Sequence, residues 1–223
     1  MFSVIIPTMW LVPKFTETLM LFVNLNIIGE VIIINNNRAN TPDHLVLHHP
    51  KIKMHNFPEN IYVNPAFNYG VAVSAYNKIA LINDDIFFDL DVFNIVDKLL
   101  DNAKIIAVNL PLVNKNGEIK VAAGQILVDK FIPGMNLHHF GCLMFMNKID
   151  YIPIPAGLNV YYGDTWLWEL MYNRYDQNYL IYNFQFETQA STTCNKLPDR
   201  EWIYQRESHL ANKYWTLYVN NIQ

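Results

Sequence analysis

The stretch ALINDDIFFD, residues 80–89, decides how the rest of the chain is read. An apolar run enters three polar residues, Asn83, Asp84 and Asp85, and turns apolar again at Ile86. Two carboxylates about 5 Å apart, at an effective dielectric near 20, repel by roughly 3 kcal/mol. Water, a hydrogen-bond network or a bound cation would relieve that cost. Side chains alternate along an extended segment, so Asn83 and Asp85 are expected on one face and Asp84 on the other. The carboxyl end of a strand is where open α/β sheets bind ligands. Magnesium and manganese suit one or two carboxylates there, with water and phosphate oxygens completing the shell. The plainer alternative is a solvated turn or a cap for the next element, and macrodipole complementarity alone accounts for Asp89 and Asp91.

Upstream, FSVIIP (2–7) is a β-branched run stopped by proline and reads as a buried strand. KFTETLMLFVNLN (14–26) follows with helical spacing of Phe15, Leu19, Phe22 and Val23, and EVIIINN (30–36) is a second strand after Gly29. Strand, helix and strand with short connections make a parallel βαβ unit. LVLHH (45–49) and NIYVN (60–64) are further candidate strands, and PAFNYGVAVSAYN (65–77) is a helix with Pro65 near its start. KIALIN (78–83) is the strand that carries the acidic cluster.

Downstream, DLDVFNIVDKLLDN (89–102) reads as an amphipathic helix and KIIAVNLPLV (104–113) as a strand. NKNGEIKVAAGQILVD (114–129) suggests a hairpin turning at Asn116-Gly117. HHFGCLMFMNK (138–148) holds a strand, GDTWLWELMYNRY (163–175) a helix with an acidic start, NYLIYN (178–183) a late strand and DREWIYQRESHLANKYW (199–215) a final helix. No repeat or low-complexity linker interrupts the series. The expectation is one α/β domain over 1–223, a nucleotide-binding half up to about residue 110 and a more irregular half over about 111–223.

The composition supports a substantial core: 52% hydrophobic residues and 16% charged among 223. A net charge of -4 carries no electrostatic footprint for nucleic acid. Cys142 and Cys194 are too few for a disulfide framework or a zinc site. MFSVIIPTMW (1–10) lacks a basic segment and is cut by Pro7, so it does not read as a signal peptide. No run approaches the roughly 20 apolar residues of a membrane span. A cytoplasmic protein is therefore expected. Small size and an Asn- and Ile-rich composition suggest a viral source, in which case the compartment is the host cytoplasm.

Taken in order, SVIIPT, VIIINNN, NPAFNYGVAVSAYNKIALINDDI, FGCLMFMNK and YYGDTWLWEL resemble the GT-A glycosyltransferases, particularly their large inverting family 2 type, over about residues 2–172. The resemblance implies a Rossmann-like nucleotide-binding half with a mixed, mainly parallel sheet, joined to an acceptor half. It implies that Pro7 and Thr8 line the nucleotide pocket, with Asn35 where the family usually has an Asp. Asn68 and Gly70 match an Asn-x-Gly segment beside the nucleotide, and Asn77 resembles a later Asn. Asn83, Asp84 and Asp85 match the Asp-x-Asp motif, Asp85 holding Mn2+ or Mg2+ and Asn83 or Asp84 touching the ribose or a metal-bound water. Gly141 and Cys142 match the strand that floors the sugar pocket. Asp164 falls in the acidic segment that supplies the catalytic base, here Gly-Asp instead of the commoner Glu-Asp.

The implied activity is hexosyl transfer from a nucleoside-diphosphate sugar, a UDP-sugar foremost, to a hydroxyl of a glycan or glycoconjugate, with inversion. A carboxylate there takes the proton of the attacking hydroxyl. Asp164 also suits a helix N-cap, and both roles are compatible. Trp166 and Trp168 stand two apart and cannot share a helix face; one is expected in the core and one, Trp166 for preference, against a sugar. His139, with His138 before it, is placed near the acceptor, and His209 is a candidate late metal ligand. Against these stand ordinary surface or partly buried histidines, which is also how His48 and His49 read. Arg174, Arg200 and Arg206 could meet diphosphate or acceptor charge, but read better as solvated helix faces.

Two other functions compete. A catalytically weak nucleotide- or carbohydrate-binding domain on the same fold is favoured by the amides at Asn35 and Asn83, and opposed by Asp85 and Asp164. A sugar-phosphate nucleotidyltransferase needs a glycine-rich basic loop after the first strand, which PTMWLVPK (7–14) lacks.

Overall fold

A computed structural model describes residues 1–110, 119–188, 197 and 199–221. Its strands are β1 (Phe2–Thr8), β2 (Ile28–Asn35), β3 (Ile52–Asn56), β4 (Lys78–Ile82), β5 (Ile86–Phe88), β6 (Ile105–Val108), β7 (Ile119–Val121), β8 (Leu127–Lys130), β9 (Leu143–Asn147), β10 (Asn178–Tyr182) and β11 (Phe186–Thr188). The helices are α1 (Phe15–Asn24), α2 (Val63–Val73), α3 (Val92–Leu99), α4 (Gly163–Tyr175) and α5 (Arg200–Asn221).

Eight strands form one mixed sheet in the order β3-β2-β1-β4-β9-β6-β10-β8, and β5-β11-β7 form a small antiparallel one. β1 pairs in parallel with both β2 and β4. Chain order runs outward from β1 to β2 and β3 on one side and resumes at β4 on the other. The crevice between the carboxyl ends of β1 and β4 is thus a topological switch point, the place where open α/β sheets take ligands. β9 runs antiparallel to β4 with Leu143 opposite Ile82. The residues entering β9 therefore arrive at the same end of the sheet.

The seven residues of β1 are all buried, because helices cover both of its faces. Val4 and Ile6 pack with Phe15, Phe22, Phe93 and Val96 of α1 and α3. Ile5 packs on the opposite side with Phe67 of α2 and Leu167 of α4. Two-residue alternation in one apolar strand thus feeds two cores.

Gly70 lets α2 lie directly on β1, since a Cβ there would overlap the Cγ2 methyl of Ile5. Gly70→Ala gains helix propensity but drives a carbon into a stiff β-branched neighbour. We expect a net loss of about 1–3 kcal/mol, read as a lower urea midpoint at unchanged m-value. An unchanged midpoint would show that α2 can lift away freely.

Several sequence expectations are corrected. LVLHH is not a strand: residues 45–48 form a 3-10 turn, where the His44 Nδ1 accepts the Val46 N–H at 3.2 Å. NIYVN is not a strand either, because α2 already begins at Val63, and Pro65 fits its first turn where no N–H is needed. The third parallel strand is IKMHN, an edge strand with no fully buried residue and so no apolar signature. The 114–129 stretch does not place its described strands in one hairpin. β7 joins β11 and β8 joins β10, while the Asn116-Gly117 turn lies outside the described residues, as does Cys194. Among the described residues no helix is long and apolar enough to cross a membrane.

Candidate active site

A cavity of about 300 Å3 fills the crevice above β1 and β4. Pro7, Thr8, Asn83, Asp84, Asp85, His139, Gly141, Cys142 and Asp164, nine of the residues singled out in the sequence, line it together. Ile119 and Thr188, on the small sheet, close one side.

The acidic cluster is a turn rather than an extension of β4, which ends at Ile82. The expected alternation therefore fails, and Asn83, Asp84 and Asp85 all face the cavity. The Thr8 hydroxyl donates to Asp84 Oδ2 at 2.5 Å and accepts the Trp10 N–H at 2.9 Å, tying the end of β1 to the cluster. Both carboxylates are only 7% exposed. Burial pushes Asp84 up to about 7; the Thr8 bond opposes the rise and the neighbouring Asp85 charge adds to it. The Asn83 N–H bonds the Cys142 carbonyl at 3.0 Å, which stitches the cluster to the approach of β9. Burial, with the nearby Asp85 and Asp164 charges, pushes the Cys142 thiol up, so it stays protonated and donates to the His139 carbonyl at 3.0 Å. Burial also lowers the pKa of His139.

Asp164 sits in the first turn of α4. It is not the N-cap: Tyr162 holds that position in a left-handed conformation, with φ 62°. The Thr165 N–H donates to Asp164 Oδ1 at 2.7 Å. Burial raises the Asp164 pKa against that bond. Gly141 is required here in a direct sense, because a Cβ would overlap Asp164 Oδ2. Gly163 plays the same part on the other side, where a Cβ would strike the amide of Asn64.

Other expected residues lie elsewhere. Asn35 is buried at the end of β2, its amide donating to Thr41 and Asn56 at 2.7 Å each and accepting the Asn37 N–H, and it does not line the cavity. Asn68 binds the Ile154 backbone and the Tyr151 hydroxyl, which makes it a clasp behind α2. Gly70 is a packing contact. Trp166 is corrected to core: it packs on Trp215 and Tyr218 of α5 and is absent from the cavity wall. Trp168 packs on Phe131 and Phe140, so neither tryptophan meets the cavity. His209 is exposed on α5 and away from the lining.

Sequence reading missed Tyr62, Asn64, Tyr161, Tyr162 and Glu207. Asn64 joins the starts of α2 and α4: its N–H bonds the Asn159 carbonyl at 3.0 Å and its amide bonds the Tyr161 carbonyl at 3.1 Å. Tyr62 has φ 66° and ψ 177°, a conformation costly for a side-chain-bearing residue. Glu207 of α5 is fully buried and accepts the N–H groups of Asn159, Val160 and Tyr161 at 2.9, 3.0 and 2.7 Å. Those bonds hold the loop that delivers Asp164. A partner 46–48 residues away leaves no local signal.

The donor set bears on a cation. Among the described residues no three His, Cys, Asp or Glu side chains gather as a complete cage. Two buried adjacent carboxylates, with repulsion between them, and a side-chain amide on one cavity wall fit a hard cation that completes its shell with phosphate and water oxygens.

No protein-family model and no curated protein matches the chain. Solved structures do. That of S. aureus TarS superposes with a TM-score of 0.62 at 13% identity, over 83% of this chain and 36% of that chain. S. aureus TarS 1-349 in complex with UDP-GlcNAc gives 0.60 at 12% identity, over 83% and 57%. The UDP complex gives 0.58 at 11%, over 83% and 59%. The chain thus spans less than two thirds of the length of these TarS chains. The architecture they share is the GT-A fold.

Proposed function

We propose, with the GT-A fold as premise, that the chain is a glycosyltransferase. It moves a hexosyl unit from a nucleoside-diphosphate sugar, a UDP-sugar foremost, to a hydroxyl of a glycan or glycoconjugate, with inversion. The observation that carries this reading is the meeting of the Asn83-Asp84-Asp85 turn and Asp164 in one cavity at the β1/β4 switch point. Two of the TarS structures with this fold are complexes with UDP and UDP-GlcNAc.

In this reading Asp85 would hold Mn2+ or Mg2+, and Asn83 or Asp84 would touch the ribose or a metal-bound water. The cation supplies compensation for charge developing on the leaving diphosphate. Thr8 keeps Asp84 oriented, and Pro7 and Thr8 border the nucleotide. Asp164 takes the proton of the attacking hydroxyl on Oδ2, because Oδ1 is engaged by the Thr165 N–H. Gly141 leaves room for that carboxylate, and Glu207 keeps its loop in place. A binding domain without transfer draws support from Asn83, but no longer from Asn35, which does not line the cavity.

Thermal melting with UDP, GDP, dTDP and CMP, each with and without manganese, tests the donor half. One nucleotide with manganese is expected to raise the melting temperature, since a ligand at 100 times its Kd adds about 2.7 kcal/mol. Asp85→Ala is expected to remove the manganese-dependent part with the fold intact. No shift with any pair, or an undiminished shift in Asp85→Ala, would sink the reading of the acidic turn.

A further inference from the structure

A second cavity, of about 210 Å3, adjoins the first: Tyr62 and Leu197 line both. Its remaining walls include Asp199, Trp202 and Arg206 at the start of α5. Trp202 is 59% exposed, an unusual position for so large an apolar side chain with no described role in the core. Its indole is not loose, because the Arg206 guanidinium stands 4.8 Å from the ring centroid. The guanidinium in turn is held by buried Glu207 at 3.4 Å. One face of the indole is thus braced, and the remaining surface is presented to solvent.

The polar groups around it are specific. The Arg206 Nε–H is buried and has no hydrogen-bond partner among the described residues. The Arg206 side chain as a whole is 36% exposed and lines the same wall, so guanidinium N–H groups border the cavity. Asp199 offers carboxylate oxygens on the same wall. Tyr204, 48% exposed, packs at 5.3 Å on Tyr161 and 5.8 Å on Tyr162, both on the wall of the first cavity. Aromatic side chains therefore run from the Asp164 cavity to the first turns of α5.

An open aromatic face beside one donor and one acceptor matches the chemistry of a pyranose. Its C–H face is apolar, while neighbouring hydroxyls both give and take hydrogen bonds. A wholly apolar partner would cover the polar groups of Arg206 and Asp199 without bonding them. An anion would meet the Asp199 carboxylate and an arginine already engaged by Glu207.

We infer that the start of α5 is an acceptor subsite: Trp202 stacks a sugar of a neutral oligosaccharide whose adjoining unit presents its hydroxyl to Asp164. This inference rests on the glycosyltransferase reading. It makes the acceptor at least a disaccharide and makes Trp202 and Arg206 determinants of acceptor choice.

Fluorine NMR on protein carrying fluorotryptophan at its five tryptophans tests it. Loss of a line in Trp202→Phe assigns the Trp202 signal. Trisaccharides of glucose, galactose, mannose and N-acetylglucosamine are added at about 20 mM, above the Kd of a millimolar site. UDP with manganese is titrated into a second portion of the same sample. At least one trisaccharide is expected to move the Trp202 line while the buried Trp168 line holds. Trp202→Ala is expected to weaken that binding about ten-fold, followed on the sugar by saturation transfer. No movement with any trisaccharide, or equal binding by Trp202→Ala, overturns the subsite, and the UDP titration shows separately whether the donor reading survives. A trisaccharide response in a protein that binds no nucleotide would overturn the acceptor assignment and leave a plain carbohydrate-binding face.

Discussion

Asp164→Asn is expected to lower sugar transfer about a hundred- to ten-thousand-fold, the usual contribution of a positioned base, with nucleotide binding retained. The change keeps size and the acceptor oxygen that Thr165 needs, and removes only the ability to take a proton. It therefore separates chemistry from folding. A carboxylate can take a proton only when ionised, and burial raises the Asp164 pKa. Transfer should accordingly climb with pH through a range above that of an ordinary carboxylate and then level off. Single-turnover transfer measured against pH, with UDP binding measured in parallel, reads both effects. Full transfer by the Asn variant would leave Asp164 as no more than a charge that complements the α4 dipole.

Glu207→Ala is expected to destabilise the fold strongly. It strips three backbone N–H groups of their acceptor inside the protein. At about 1 kcal/mol for each of these part-buried donors left unpaired, the loss is about 3 kcal/mol. For a chain of this size that lowers the melting temperature by about 6–12 °C. Arg206 also loses its carboxylate partner. Glu207→Gln should fall between, since one carbonyl oxygen cannot serve all three donors and its amide group faces them. Urea melts of the two variants test this, and an Ala variant as stable as the wild type would show that the 159–162 loop holds itself.

The parts of the fold that were legible were those with a continuous apolar signal. FSVIIPT and KIALI are short apolar runs with β-branched residues, and they form interior strands of the sheet. α4 was legible to its ends, and Asp164 with it, because Gly-Asp opens an apolar helix. Edge and short elements were not legible. IKMHN buries no residue fully, and β5 and β11 have three residues each, so composition says little about them.

Of the candidate site, the acidic turn, Thr8, Gly141, Cys142 and Asp164 are local features whose residue types announce chemistry. Asn35, Asn68 and Trp166 matched by type and place, yet the structure assigns their hydrogen bonds or rings to packing. Only long-range contact decides that. The sequence by itself determined a parallel βαβ core ending in paired carboxylates, because strand and helix periodicity are written in neighbouring residues. Only the tertiary structure decided which side chains share the cavity. A hydrogen bond such as Glu207 to Tyr161 spans 46 residues, and nothing in either segment names the other until the chain has folded.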